Sequence, residues 1–175
     1  APAKVAGPAI EPVADLEFPK VEHAKLKNGI PVIFARRATV PTVRVAVTFD
    51  AGNAADDRAK LGTAALMTSL LDEGTKSRNS VQIAQEQERL GAAISAGSSM
   101  DRTQVGLFAL KPNLDASLDL LADVVRNPAF APGEVERLRG QLLTRIAAEK
   151  TEPMPIAQRL LPPLLYGKAH PYGLP

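Results

Sequence analysis

Any chemistry in this chain must come from a short stock of side chains. There is no cysteine among its 175 residues, which excludes disulfides, thiol nucleophiles and thiolate metal sites. Its two histidines, His23 and His170, lie far apart, and neither has a glutamate at ligand spacing. A zinc site built by this chain alone is therefore not expected. Ser69 falls inside a helical pattern with no nucleophile elbow around it, which argues against a serine hydrolase. Asp50, Asp56 and Asp57 do not follow the calcium-loop spacing and lack its closing glutamate. The stretch "GTKS" at 74–77 echoes the end of a phosphate loop. That loop needs adjacent Gly-Lys and an earlier glycine at fixed spacing, so Gly74 reads instead as a helix C-terminal cap.

Bulk properties exclude further classes. Hydrophobic residues make up 45% and charged residues 23%, the balance of a globular domain with a sizeable core. A formal net charge of +2, with scattered cations and only 4% aromatics, gives no case for nucleic acid or anionic lipid. No apolar run approaches the ~20 residues that would span a bilayer. The opening "APAKVAGPAIEP" begins with small residues, as a mature end left by signal-peptide removal would, so an exported, periplasmic setting is expected.

The elements that must position these residues follow from periodicity. Residues 1–20 hold four prolines and no apolar period, and read as an extended arm preceding one domain over 21–175. "AKLKNGIPVIFARR" alternates on both sides of Asn28-Gly29, which predicts a hairpin with a two-residue turn. "TVRVAVTF" places Val43, Val45, Val47 and Phe49 on one face of a third strand. "KLGTAALMTSLLDEGT", residues 60–75, reads as a helix with Asp56 or Asp57 at its start and Gly74 at its end. A second helix runs from about Ser80 to Leu90, and two strands follow around Met100-Asp101. The next helix is expected to carry the stripe Leu114, Leu118, Leu121 and Val125, ending at Asn127-Pro128. Another runs from near Pro132 to about Thr151 on the stripe Val135, Leu138, Leu142 and Ile146. A last segment, "IAQRLLPPLLYG", is expected to break at Pro162-Pro163. Hairpin strands and paired helices predict an α+β layer, with helices on one face of a mostly antiparallel sheet.

Five stretches, taken in order, carry a resemblance. They are "KLKNGIPVIFARRATVPTVRVAVTFDAGN", "KLGTAALMTSLLDEGTKSRN", "LGAAISAGSSMDRTQVGLFAL", "LLADVVRNPAFAPGEVERLRGQLLTRI" and "LYGKAHPYGLP". Together, from Leu26 to Pro175, they resemble the N-terminal half of the pitrilysin/insulinase family of zinc metallopeptidases. Active members carry His-x-x-Glu-His on the first helix. Its two histidines face one metal from one helical face, and the glutamate acts as general base on zinc-bound water. Alignment on Gly62 and Gly74-Thr75 puts Ala65, Thr68 and Ser69 at those positions, and Arg145 where a later helix would supply a glutamate ligand.

The resemblance implies a degenerate site. An alanine methyl binds no zinc, a threonine hydroxyl is no useful base near neutrality, and Arg145 would repel a cation. It therefore implies a non-catalytic chain with no metal or other cofactor of its own. Such a chain would pair as a heterodimer, or in a higher assembly, with a zinc-bearing subunit of the family. The two would shape a chamber for a peptide substrate. The chain would also be an incomplete subunit lacking a second related unit. The other reading left open is a structural core-type protein of a larger assembly, with this fold and no part in proteolysis.

Overall fold

The computed structural model describes residues 17–174. The expected arm therefore lies outside the described residues except for its last four, which adopt no regular element. The chain divides into two compact units between Val40 and Pro41.

The first unit contains the hairpin. Strand β1 (Val21–Lys25) pairs antiparallel with β2 (Pro31–Ala35), with His23 opposite Ile33. The turn is not the expected two-residue one. Leu26 donates to Ile30 O at 2.9 Å and Gly29 donates to Leu26 O at 2.9 Å, leaving Lys27, Asn28 and Gly29 as a three-residue loop. Gly29 takes φ +92°, which closes a type I turn with a left-handed residue, and Asn28 Oδ1 accepts the Ile30 N–H at 3.2 Å.

The second unit is built on a three-stranded antiparallel sheet in the order β3-β5-β4. These strands are β3 (Thr42–Phe49), β4 (Ala93–Ser98) and β5 (Thr103–Leu110). Strand β5 is central, and its alternate residues Val105, Leu107 and Ala109 are buried. They share a core with Leu71, Ile83, Leu121 and Val124, and Val45 and Val47 pack against that cluster, as the alternation in β3 requires. Phe49, the last member of that row, stays exposed. Arg44 lies on the opposite sheet face, 5.4 Å above the Phe108 ring.

Among the described residues, five α-helices accompany this sheet. Helix α1 (Thr63–Leu70) is shorter than its sequence suggests. Gly62 is left-handed at φ +88°, so Lys60 and Leu61 fall outside the helix. Asp56 caps α1 from a distance, accepting the N–H groups of Gly62 (2.9 Å) and Ala64 (3.0 Å). Asp57 instead caps a separate 3-10 turn at Arg58–Lys60 through the Ala59 N–H. Gly74 is not the cap, because the helix ends at Leu70 and Leu71 is its C-terminal cap. Gly74 pairs in a β-bridge with Asn79 and accepts the Ala129 N–H at 3.0 Å.

Helix α2 (Ser80–Leu90) opens on a reciprocal capping box between Asn79 and Gln82 and closes on Gly91 at φ +60°. Helix α3 (Leu114–Arg126) buries Ser117, Leu120, Leu121 and Val124; of the expected stripe, Leu121 is in the core and Leu114 and Val125 pack against it, while Leu118 is exposed. The core face also includes a serine, which an apolar count passes over, whose hydroxyl donates to Asn113 O at 2.8 Å. Helix α4 (Pro132–Glu149) presents Val135, Leu138, Leu142 and Ile146 as its half-buried row, as expected.

Helix α5 (Pro153–Tyr166) does not break at Pro162-Pro163. Proline's fixed φ is helical, and what is lost is two donors near the end of the helix. The last turn still closes, with Gly167 N–H on Pro163 O at 3.0 Å.

Candidate functional site

The four positions marked by the resemblance lie on α1 and α4, and these two helices pack against each other. Arg137 of α4 reinforces that contact with a 2.5 Å ion pair to Glu73, just past α1. On α1, Ala65 and Ser69 are exposed and Thr68 is buried, only 4% accessible. Both hydroxyls turn back onto one acceptor: Thr68 Oγ1 donates to Ala65 O at 2.9 Å and Ser69 Oγ donates to the same oxygen at 3.0 Å. Arg145 is 71% exposed, and its one ion pair among the described residues is with Glu149 at 3.7 Å. Glu149 is held more closely by Arg159 of α5, at 2.5 Å.

These side chains do not fit a zinc ion. One has no donor atom, two have hydroxyls committed to a backbone carbonyl, and the fourth is a cation. Among the described residues no group of three or more His, Cys, Asp or Glu side chains could hold a metal. His23 and His170 fall in different compact units.

A second cluster escaped the sequence reading, centred on Asp123 near the end of α3. Its Oδ2 accepts from Thr75 Oγ1 (2.8 Å), Ser77 Oγ (2.9 Å) and Arg78 Nη1 (2.5 Å), and its Oδ1 accepts from Asn127 Nδ2 (3.0 Å). Burial alone would raise this carboxyl. The bonds from Asn127, Thr75, Ser77 and Arg78 outweigh it and bring the pKa down from 3.8 to about 2. The "GTKSR" stretch is thus a cradle of donors for one carboxylate, neither a phosphate loop nor a helix cap. Its sequence signal was the spacing of Thr75, Ser77 and Arg78, readable only with Asp123 known to lie opposite.

A third cluster joins distant loops. Gly52 lies against the β4–β5 turn, where Asn53 N–H donates to Ser99 O and Ala54 N–H to Met100 O, each at 2.8 Å. Tyr172 reaches Asp101 of the same turn through its phenol, and that bond holds the phenol pKa above its ordinary value.

With this geometry in place, likeness to known proteins is decisive. The sequence profile described as "Insulinase (Peptidase family M16)" matches residues 32–171. The chain belongs to the insulinase family of peptidases.

Within that family the chain is 28% identical over 140 residues to the mitochondrial-processing peptidase subunit beta of Rattus norvegicus, covering 80% of this chain and 28% of the relative. It is 29% identical over 133 residues to the cytochrome b-c1 complex subunit 1 of Bos taurus, covering 76% and 28%. The crystal structure of a peptidase M16 inactive domain from Pseudomonas fluorescens superposes with a TM-score of 0.83 at 30% identity, over 89% of this chain and 38% of that one. The antiparallel sheet with helices on one face is thus a family fold. The chain spans little more than a quarter of the length of the curated relatives it matches.

Proposed function

We propose that this chain is a non-catalytic member of the insulinase family. Its proposed role is to pair with a subunit bearing His-x-x-Glu-His and supply the opposite wall of a peptide chamber. The observation that carries this reading is the arrangement at Ala65, Thr68 and Ser69. Both hydroxyls close onto the Ala65 carbonyl, and no side chain there can bind a metal or take a proton from water. Likeness to an inactive domain of the same family supports it. So does the apolar face of α5, where Met154, Leu160, Leu161, Leu164 and Leu165 are each more than half exposed, a surface suited to burial against further polypeptide.

In this reading zinc belongs to the partner, and this chain's contribution is positional. Holding a peptide from both sides lowers the entropic part of the barrier, and a second wall limits bulk water at the reacting carbonyl. The test assays each chain alone and then the mixture. We expect no peptide hydrolysis by this chain, and activity in the mixture that exceeds the partner's own and vanishes when the partner's zinc ligands are mutated. Full activity from the partner alone, unchanged on addition of this chain, would remove the case for a working subunit.

A metal assay tests the other half of the proposal. The purified chain should hold no stoichiometric zinc, and one tightly retained zinc per chain would overturn the reading. Rebuilding the motif as Ala65→His, Thr68→Glu and Ser69→His should not restore binding. Position 68 is buried, so a carboxylate there loses its hydration before any metal can compensate, and Arg145 stays at the remaining ligand position.

The likeness to the bovine cytochrome b-c1 complex subunit favours a second reading, a structural subunit without proteolysis. Co-purification separates the two: a zinc peptidase supports the first, a membrane complex the second.

A further inference from the structure

Three segments distant in sequence meet at the turn after α5. The Arg58 guanidinium donates to the carbonyl oxygens of Lys168 (3.4 Å) and Ala169. The Tyr172 phenol lies 2.5 Å from both carboxylate oxygens of Asp101. The rings of Tyr166 and His170 stack with centroids 5.6 Å apart, and Tyr172 stands edge-on to them at 5.6 and 5.4 Å. Gly173 approaches Gly167 so closely that a Cβ would fall 1.9 Å from its carbonyl oxygen. Backbone bonds close the turn, with Gly173 N–H on His170 O at 2.9 Å and His170 N–H on Gly167 O at 3.2 Å, and one ring nitrogen caps it. His170 Nδ1 accepts the Tyr172 backbone N–H at 3.1 Å and so caps the 3-10 turn Pro171–Gly173.

An imidazole nitrogen accepts a hydrogen bond only while it carries no proton. Protonated, His170 would point a second donor at the Tyr172 N–H. The cap would then be not merely weakened but opposed, and the ring and phenol contacts of Tyr172 would lose their anchor.

We propose that residues 167–173 form a proton-sensitive latch, closed while His170 is neutral and opened when it is protonated. Opening detaches Tyr172 from Asp101, and so releases the β4–β5 turn from the end of α5. It also loosens the carbonyls that Arg58 grips. Arg58 lies in the 3-10 turn capped by Asp57, next to Asp56, which holds the first N–H groups of α1. The latch thereby links the end of α5 to the start of α1.

The groups around His170 come from each element packed on it. Arg58 and Lys168 are cationic, Asp101 is anionic and reached through Tyr172, and Tyr166 and Tyr172 offer phenols. The 3-10 turn Asn53–Ala55, which touches Pro171–Gly173, carries no titratable group. His23 is the one other histidine, and a substitution at 170 separates the two.

Sequence composition simplifies the experiment. The chain has no tryptophan and two tyrosines, Tyr166 and Tyr172, both in the latch, so intrinsic emission reads the latch alone. Emission and Tyr172 amide exchange are followed from about pH 8 to 5 in the full chain and in His170→Asn and His170→Ala. Asparagine offers an acceptor oxygen near the Nδ1 position that does not titrate.

In the native chain, exchange at Tyr172, corrected for its intrinsic pH dependence, should rise roughly fivefold or more on acidification, as expected for loss of one ordinary hydrogen bond. Tyrosine emission should change in step while the far-UV circular dichroism stays constant. His170→Asn should remain closed at both ends of the range and His170→Ala open at both. No change in the native chain, the same change in His170→Asn, or a transition that removes the helical signal would each overturn the proposal.

Discussion

Gly52→Ala should be among the most damaging small substitutions in this chain, lowering stability by roughly 3 kcal/mol or more. The reason is space and not backbone angle, since Gly52 is extended at φ −129°. An added Cβ would fall 2.4 Å from Ser99 O, 2.5 Å from Arg102 N and 2.6 Å from Met100 O. All three are backbone atoms, so no side chain can rotate away. Relief requires moving the β4–β5 turn, and that turn is held by the bonds from Asn53 and Ala54 and by Ser98 Oγ on Asn53 Oδ1 at 2.7 Å. Gly140 supplies the contrast. It lies inside α4 with nothing within 4 Å of its added Cβ, so Gly140→Ala should raise stability by up to about 1 kcal/mol. Urea unfolding of both variants checks the pair. Equal effects would show that close approach at Gly52 does not decide its identity.

The order of strands and helices was legible because long periodic stretches leave little choice. Val43, Val45 and Val47 can share one face only in a strand, and Val135, Leu138, Leu142 and Ile146 share one only in a helix. The clearest misreading came from a distant partner. Gly74 looks like a helix cap because a glycine after a periodic run usually is one, yet Asn79 and Ala129 recruit it into pairing instead. On α3 the expected Leu118 gives way to Ser117 on the core face, where the serine hydroxyl is satisfied by the carbonyl one turn back. Pro162-Pro163 reads as a break, but proline's fixed φ is itself helical, and the last turn still closes through Gly167 N–H on Pro163 O. At the candidate site, the substitutions at Ala65, Thr68, Ser69 and Arg145 could be read directly. The turning of both hydroxyls onto one carbonyl, and the exposure of Arg145, needed coordinates.

Asp123 should set the acid limb of stability. Its carboxyl falls from 3.8 to about 2 on folding, so the folded state binds the proton less tightly than the unfolded one. The resulting stabilisation, roughly 2 kcal/mol, is fully present above pH 3.8 and is lost as the pH falls through about 2. Asp123→Asn should remove it at neutral pH and add a further penalty. The Oδ2 position receives three donors, from Thr75, Ser77 and Arg78, and the Oδ1 position receives a fourth from Asn127. An amide has one accepting oxygen, so whichever way it turns its NH2 group meets a donor, and the Arg78 guanidinium loses its counter-charge. The expected loss at pH 7 is about 3 kcal/mol, measured by urea unfolding. The difference between native and variant chains should persist down to about pH 4, narrow as Asp123 of the unfolded chain takes up its proton, and level off once the native carboxylate does so near 2. A gap of constant size down to pH ~2.5 would mean that packing around Asp123, not its charge, is what the cradle of Thr75, Ser77 and Arg78 supports.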